Sequence, residues 1–109
     1  GTGGFTLSGV GLALDEKTVT FDENKDISAV GVTKCTSDAD NREGTLKSPT
    51  TVSGAAGQTK LVLKTAAAGK VQLKDANGDL VGQLLNAEGD FSFLVWTGTA
   101  WLPVASEIN

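Results

Sequence analysis

The sequence predicts an all-β protein: a small antiparallel β-sandwich or barrel of about eight to ten short strands with an extended N-terminal arm. Three observations point there. Turn-forming residues recur at roughly 8–12-residue intervals along the chain. Nowhere does an apolar i, i+3, i+4, i+7 stripe persist for three turns, so the pattern offers no amphipathic helix. Finally, Phe91-Ser92-Phe93-Leu94-Val95-Trp96, a Thr97-Gly98 turn and Trp101-Leu102-Pro103-Val104 read as one β-hairpin with a tryptophan at each mouth.

Taken in order, residues 1–14 form the arm. Phe5, Leu7 and Val10 are spaced among Gly3, Gly4, Gly9 and Gly11, too many glycines for a helix. Residues 15–109 make a single β domain. Lys17–Phe21 alternates, setting Val19 and Phe21 on one side and the threonines on the other. Asp22–Asp26 is a polar turn, and Ile27–Cys35 is a second strand, expected to fold back on the first as a hairpin with a bulge at Gly31. Thr36–Glu43, the most polar stretch, is expected to be an exposed loop.

Leu46 and Val52 bracket Ser48-Pro49-Thr50, and Ser53–Gly57 is a small-residue connector. Leu61 and Leu63 alternate with Lys60, Val62 and Lys64, and Val71 and Leu73 with Lys70, Gln72 and Lys74. Two strands with lysines on their outer faces are expected. Ala66–Ala68, ended by Gly69, is the one mildly helix-favouring stretch between them. Asn77-Gly78, inside Asp75–Asp79, is a strong hairpin signal because a type I′ turn needs positive φ at both central positions. Leu80, Val81, Leu84 and Leu85 then read as a strand ahead of a helical face, which Gly82 weakens.

Composition limits what such a chain can do. Its 109 residues suit one domain, and 39% hydrophobic content with 14 glycines and 6% aromatics makes a lean core. Association of identical copies would add stability. Net charge is −4 and the pI near 4.6, with Lys and Arg scattered singly, so no basic stripe for nucleic acid is present. No apolar run approaches the roughly 20 residues a membrane helix needs, and no signal-peptide pattern opens the chain, which reads as soluble. Cys35 has no second cysteine to pair with and reads as a small buried or idle thiol.

Catalytic chemistry finds little to work with. There is no histidine for a triad, an imidazole base or a His-containing metal site. Cys35 adjoins Lys34, but neighbouring strand residues point to opposite faces, so the lysine does not activate the thiol. Asp38 with Asp40, and Glu88 with Asp90, are carboxylate pairs of the kind that solvate turns. As a calcium loop, Asp38–Glu43 places Arg42 and Glu43 where an oxygen ligand and a glycine are required. Asp75, Asn77 and Asp79 start better, but Leu80 replaces the glycine and Asn86 the bidentate glutamate, and a turn explains the same residues. The expectation is no enzyme activity, no cofactor and no metal.

The tryptophans admit two readings: packing in a core or subunit interface, or an aromatic platform for a sugar or peptide. Gly57-Gln58-Thr59-Lys60-Leu61, Gly69-Lys70-Val71-Gln72-Leu73 and Gly89-Asp90-Phe91-Ser92-Phe93-Leu94-Val95-Trp96-Thr97-Gly98-Thr99-Ala100-Trp101, within residues 45–105, resemble a β-rich module of virion proteins of tailed bacteriophages. The resemblance implies a capsid decoration (cement) protein that binds the outer surface of a phage head as a homotrimer. Its partners would be other copies and the major capsid protein, with no nucleic acid and no membrane. Under that expectation Phe5, Leu7, Val10, Phe93, Val95, Trp96 and Trp101 are the candidate subunit or capsid interface. The alternative is a head or tail fibre module that binds a host receptor or glycan through Trp96, Trp101 and the loop Thr36–Glu43.

Overall fold

A computed structural model describes residues 16–49, 56–82 and 84–108. The arm with Phe5, Leu7 and Val10 lies outside the described residues. Among those described there are eight strands and no helix: β1 (Glu16–Phe21), β2 (Lys25–Ile27), β3 (Val32–Ser37), β4 (Arg42–Leu46), β5 (Thr59–Lys64), β6 (Val71–Asp75), β7 (Phe91–Trp96) and β8 (Trp101–Glu107). They form a five-stranded sheet in the order β1-β3-β5-β7-β8 and a three-stranded sheet in the order β2-β4-β6. The all-β expectation therefore holds, with two open-edged sheets and no closed barrel.

The expected antiparallel pairing does not hold through most of the chain. β1 pairs with β3, β3 with β5, β2 with β4 and β4 with β6, all in parallel; only β5–β7 and β7–β8 are antiparallel. Up to β6 the chain changes sheet at every strand. Each pair β1–β2, β3–β4 and β5–β6 is thus one turn of a flattened coil, and three turns stack edge to edge.

The cause is that the polar turns are corners rather than reversals. Asp22–Asn24 carries the chain across to the second sheet, and Ser28–Gly31, with Gly31 at φ 70°, returns it to the first. The expected hairpin of Lys17–Phe21 with Ile27–Cys35 is replaced by a parallel pair, Val19 opposite Cys35, while Ile27 sits in the other sheet. Among the described residues the register shift falls between Phe93 and Leu94, not at Gly31. The expected loop Thr36–Glu43 shrinks to residues 38–41, because Thr36 and Ser37 end β3 while Arg42 and Glu43 begin β4. Arg42 clamps that corner by donating from Nε and Nη2 to Asp38 Oδ1 at 3.0 and 2.8 Å.

After β6 the direction reverses at the Asn-Gly turn that the sequence marks, though not as a type I′ turn, since Gly78 takes a positive φ and Asn77 does not. Asp75 Oδ1 accepts the backbone N–H groups of Asn77 and Asp79 at 2.8 and 2.9 Å, and Gly78 has φ 87°. Leu80 and Leu85 then bridge back to Lys74 and Val71, and β7 returns along β5. A fourth, reversed turn therefore closes the top of the stack, and β8 lies beyond it as an edge strand. Thr97 N donates to Ala100 O, so strand alternation turns the Pro103 nitrogen away from β7 and toward the free edge. There its missing N–H costs the ladder nothing and blunts the edge against further pairing.

The sheets enclose one core. Phe21, Cys35, Val62 and Leu94 from one and Ile27, Leu46 and Leu73 from the other are at most 1% exposed. Gly44 of β4 is what lets them close. A Cβ there would stand 2.6 Å from Ile27 Cδ1 and 3.1 Å from Phe21 Cζ, so the Phe21 ring of the opposite sheet occupies the space of the missing side chain.

β5 runs against expectation. Lys60 and Lys64 point inward, at 1% and 0% exposure, while Leu61 and Leu63 face out. The lysines stand at the two ends of the inner row, where their ammonium groups reach corner carbonyls. Lys60 Nζ donates to Val30 O and Thr33 Oγ1, each at 2.7 Å, and Lys64 Nζ to Ala66 O and, at 2.8 Å, Ala68 O. Burial is tolerable because these donors are satisfied.

Candidate functional site

Trp96 and Trp101 belong to the interior of the chain. They pair in register across the β7–β8 hairpin, with ring centroids 5.4 Å apart at 64°, an edge-to-face contact. They are 9% and 4% exposed. Trp101 Nε1 donates to Lys47 O at 3.0 Å, tying β8 to the end of β4. Neither ring is presented as a platform for a ligand.

Phe93 and Val95 take the opposite position. The side chains of β7 alternate, so Ser92, Leu94 and Trp96 go in while Phe91, Phe93 and Val95 go out, half-buried. In register with them on β5 are Leu63, Leu61 and Thr59, and on β8 Leu102 faces Val95 while Ala105 faces Phe93. Leu102 is 52% exposed, and Val104, at the bulge, 51%. On both central strands the more apolar row lies outside. β5 keeps Lys60 and Lys64 within and shows Leu61 and Leu63; β7 keeps Ser92 within and shows two phenylalanines. The sequence singled out Phe93 and Val95 but not their neighbours. Reading β5 with its leucines inward concealed Leu61 and Leu63.

A second feature lies on the outer face of the three-stranded sheet. Asn41, Glu43, Gln72, Lys74, Leu80 and Leu84 line an open recess of about 340 Å³. Glu43 and Gln72 are register partners on β4 and β6, and Lys74 Nζ meets Glu43 Oε2 at 2.8 Å. The Glu43 N–H donates to Asn24 Oδ1 at 2.9 Å, and Asn41 holds φ at 68° beside it. Leu80 overhangs the recess at 63% exposure. Asn41 and Glu43 come from the segment Thr36–Glu43 considered for ligand contact. Gln72 and Lys74 were legible as outward-facing, but nothing local marked Leu80 and Leu84 as its wall.

No known protein family, curated protein or solved structure matches this chain. Its chemistry is therefore read from its own residues. Cys35 is fully buried, and burial pushes its thiol up to about 12 despite the ammonium groups of Lys60 and Lys64 nearby. It stays protonated at neutral pH and is no nucleophile there. Among the described residues no three of His, Cys, Asp and Glu converge on a metal-sized site. The two segments weighed as calcium loops are the Arg42-clamped corner and the Asp75 turn already described.

Asp90 is fully buried and structural. Its Oδ2 accepts the N–H groups of Asn86 and Ala87, both at 2.8 Å, holding the corner from which β7 departs. Lys64, which exchanges backbone hydrogen bonds with this corner, is drawn below the usual lysine range by burial, with Asp90 pulling the other way.

Proposed function

We propose that this chain is a non-enzymatic structural module of a phage virion that associates with copies of itself as a trimer. The observation that carries the reading is the inverted polarity of β5 and β7. Leu61, Leu63, Phe91, Phe93, Val95 and Leu102 form a contiguous outward apolar face, while two lysines and a serine take inner positions. A monomer in water forgoes about 25 cal/mol for each Å² of these partly buried side chains that stays wet. Covering by a like face recovers it. Copies are the natural cover because a lean core of this size gains most from closed association.

The sequence leaves two placements open, a cement protein on the capsid surface and a section of a head or tail fibre. The stacked coil favours the fibre. Parallel turns extend along one axis, and here the stack ends in a reversed turn, as the tip of an elongated shaft would. Major capsid protein as a partner belongs to the cement reading and host surface to the fibre reading; imaging of the particle separates them.

Sedimentation equilibrium tests association directly. At micromolar concentration the protein is expected at three times the chain mass, and Phe93→Glu, which places a charge in the face, is expected to sediment as a folded monomer. A wild-type monomer at that concentration, or a Phe93→Glu variant that stays trimeric, would refute this role for the face.

A further inference from the structure

We propose that the recess on the outer face of the β2-β4-β6 sheet is a binding site for an uncharged saccharide unit. This goes beyond the self-association reading and is independent of it, since the recess lies on the three-stranded sheet and the apolar face on the five-stranded one. Its volume, about 340 Å³, lies at the small end of the range for ligand sites, room for one or two sugar rings.

The chemistry of the lining selects the class. Asn41 and Gln72 supply two carboxamides, each with a donor and an acceptor, the pairing that vicinal hydroxyls require. Glu43 and Lys74 are in contact at 2.8 Å, so the lining residues sum to no formal charge and do not select for a phosphate, a carboxylate or a cation. Both keep part of their side chains in water, at 39% and 28%, and retain lone pairs and N–H groups to offer. Leu80 and Leu84 form the apolar wall on which the C–H face of a sugar ring can rest. Leu80, at 63% exposure, keeps most of its side chain available for such a contact. Glu43 and Gln72 sit on adjacent parallel strands, so their spacing is set by the sheet rather than by a loop. With no aromatic ring in the lining, binding is expected to be weak, in the millimolar range.

The test is NMR titration of the ¹⁵N-labelled full chain with D-glucose, D-galactose and N-acetyl-D-glucosamine, with N-acetylneuraminic acid and inorganic phosphate as charged probes. At least one neutral sugar is expected to give saturable shifts at the Asn41 and Gln72 side-chain amides and the Glu43 backbone, with neither charged probe binding more tightly. Gln72→Ala and Leu80→Asp, both surface changes, are each expected to weaken binding about tenfold, equivalent to one lost contact. Phe93→Glu is expected to leave it unchanged, so loss of association and loss of binding are separable. A polymer of the active sugar that binds more than tenfold tighter than the monosaccharide identifies a repeating surface glycan as the source; equal affinity identifies a free sugar. The proposal is overturned if none of the three sugars shifts these resonances at 100 mM, if either charged probe binds there more tightly, or if either recess variant binds as the wild type does.

Discussion

Gly44 is where the two sheets come closest, and it offers a quantitative test of the stacked-coil core. A methyl group there would lie 2.6 Å from Ile27 Cδ1 and 3.1 and 3.2 Å from Phe21 Cζ and Cε2. The Ile27 contact is well inside van der Waals distance but involves the far end of a movable side chain. The Phe21 contacts are tighter than ordinary, and that ring is fully buried with little room to retreat. Overpacking of this kind costs about 1–3 kcal/mol, so Gly44→Ala is expected to lower Tm by about 4–12 °C, at about 4 °C per kcal/mol for a chain of this length. Ile27→Val removes the clashing Cδ1 and alone costs about 0.5–1.5 kcal/mol. In the double variant the worst contact is gone, so its loss should fall short of the sum of the single losses by at least about 0.5 kcal/mol. Thermal and urea denaturation followed by circular dichroism measure all four proteins, at one fixed chain concentration because association would shift Tm by mass action. Additivity within about 0.3 kcal/mol would refute the close approach of Ile27 to Gly44 within the three-stranded sheet, and a Gly44→Ala protein as stable as wild type would refute the face-to-face placement of β4 against β1.

Two further outcomes follow from buried groups. Because burial raises the Cys35 thiol from 9.0 to about 12, the unfolded chain releases that proton first, so wild type is expected to lose about 1.4 kcal/mol per pH unit relative to Cys35→Ala between about pH 9 and 12. The lowered Lys64 acts in the opposite sense, adding stability as pH rises toward 10.5, and is present in both proteins, with burial and Asp90 each acting on it more than Cys35 does; a flat difference across that window would contradict the burial of Cys35. Asp90→Ala strips the acceptor from two backbone N–H groups and is expected to cost about 2–4 kcal/mol, with Asp90→Asn, which keeps a carbonyl oxygen, losing less. Urea denaturation of both variants checks this, and an alanine variant within about 0.5 kcal/mol of wild type would remove Asp90 from its role at the β7 corner.

Much of the secondary structure was legible because it depends on neighbours in sequence. Period-two alternation located β1, β5, β6 and the β7–β8 hairpin, and Asn77-Gly78 marked the turn where the chain reverses. What was not legible was pairing. A polar break such as Asp22–Asp26 permits either a reversal within one sheet or a corner into another, and its residue types suit both. The decision lies in what the following strand pairs with, which for β2 is β4, with Ile27 opposite Leu46, rather than anything local. Face selection in β5 failed for a related reason. Alternation states that Lys60, Val62 and Lys64 share a side, but whether that side faces in depends on how the corners fold: the distant Val30 carbonyl receives Lys60, and the turn just after β5 must curl back to bring the Ala66 and Ala68 carbonyls to Lys64.

That inversion bears on the candidate site as well. An outward lysine row on β5 would have surrounded Phe93 and Val95 with charge and left them as isolated surface apolar residues, which need no explanation. With the lysines drawn inward, Leu61 and Leu63 join Phe91, Phe93, Val95 and Leu102 in one uninterrupted face. Each buried ammonium group carries a desolvation cost that an outward lysine would avoid, and the carbonyls that receive Lys60 and Lys64 offset it without making it favourable over water. A chain that accepts this on one strand, and shows two phenylalanines while burying a serine on the next, is arranged as the proposed cover by a second copy would require. Pro103 narrows how that cover can arrive. With a donor missing at the free edge of β8, strand-to-strand extension of the sheet is disfavoured, and contact through the face remains.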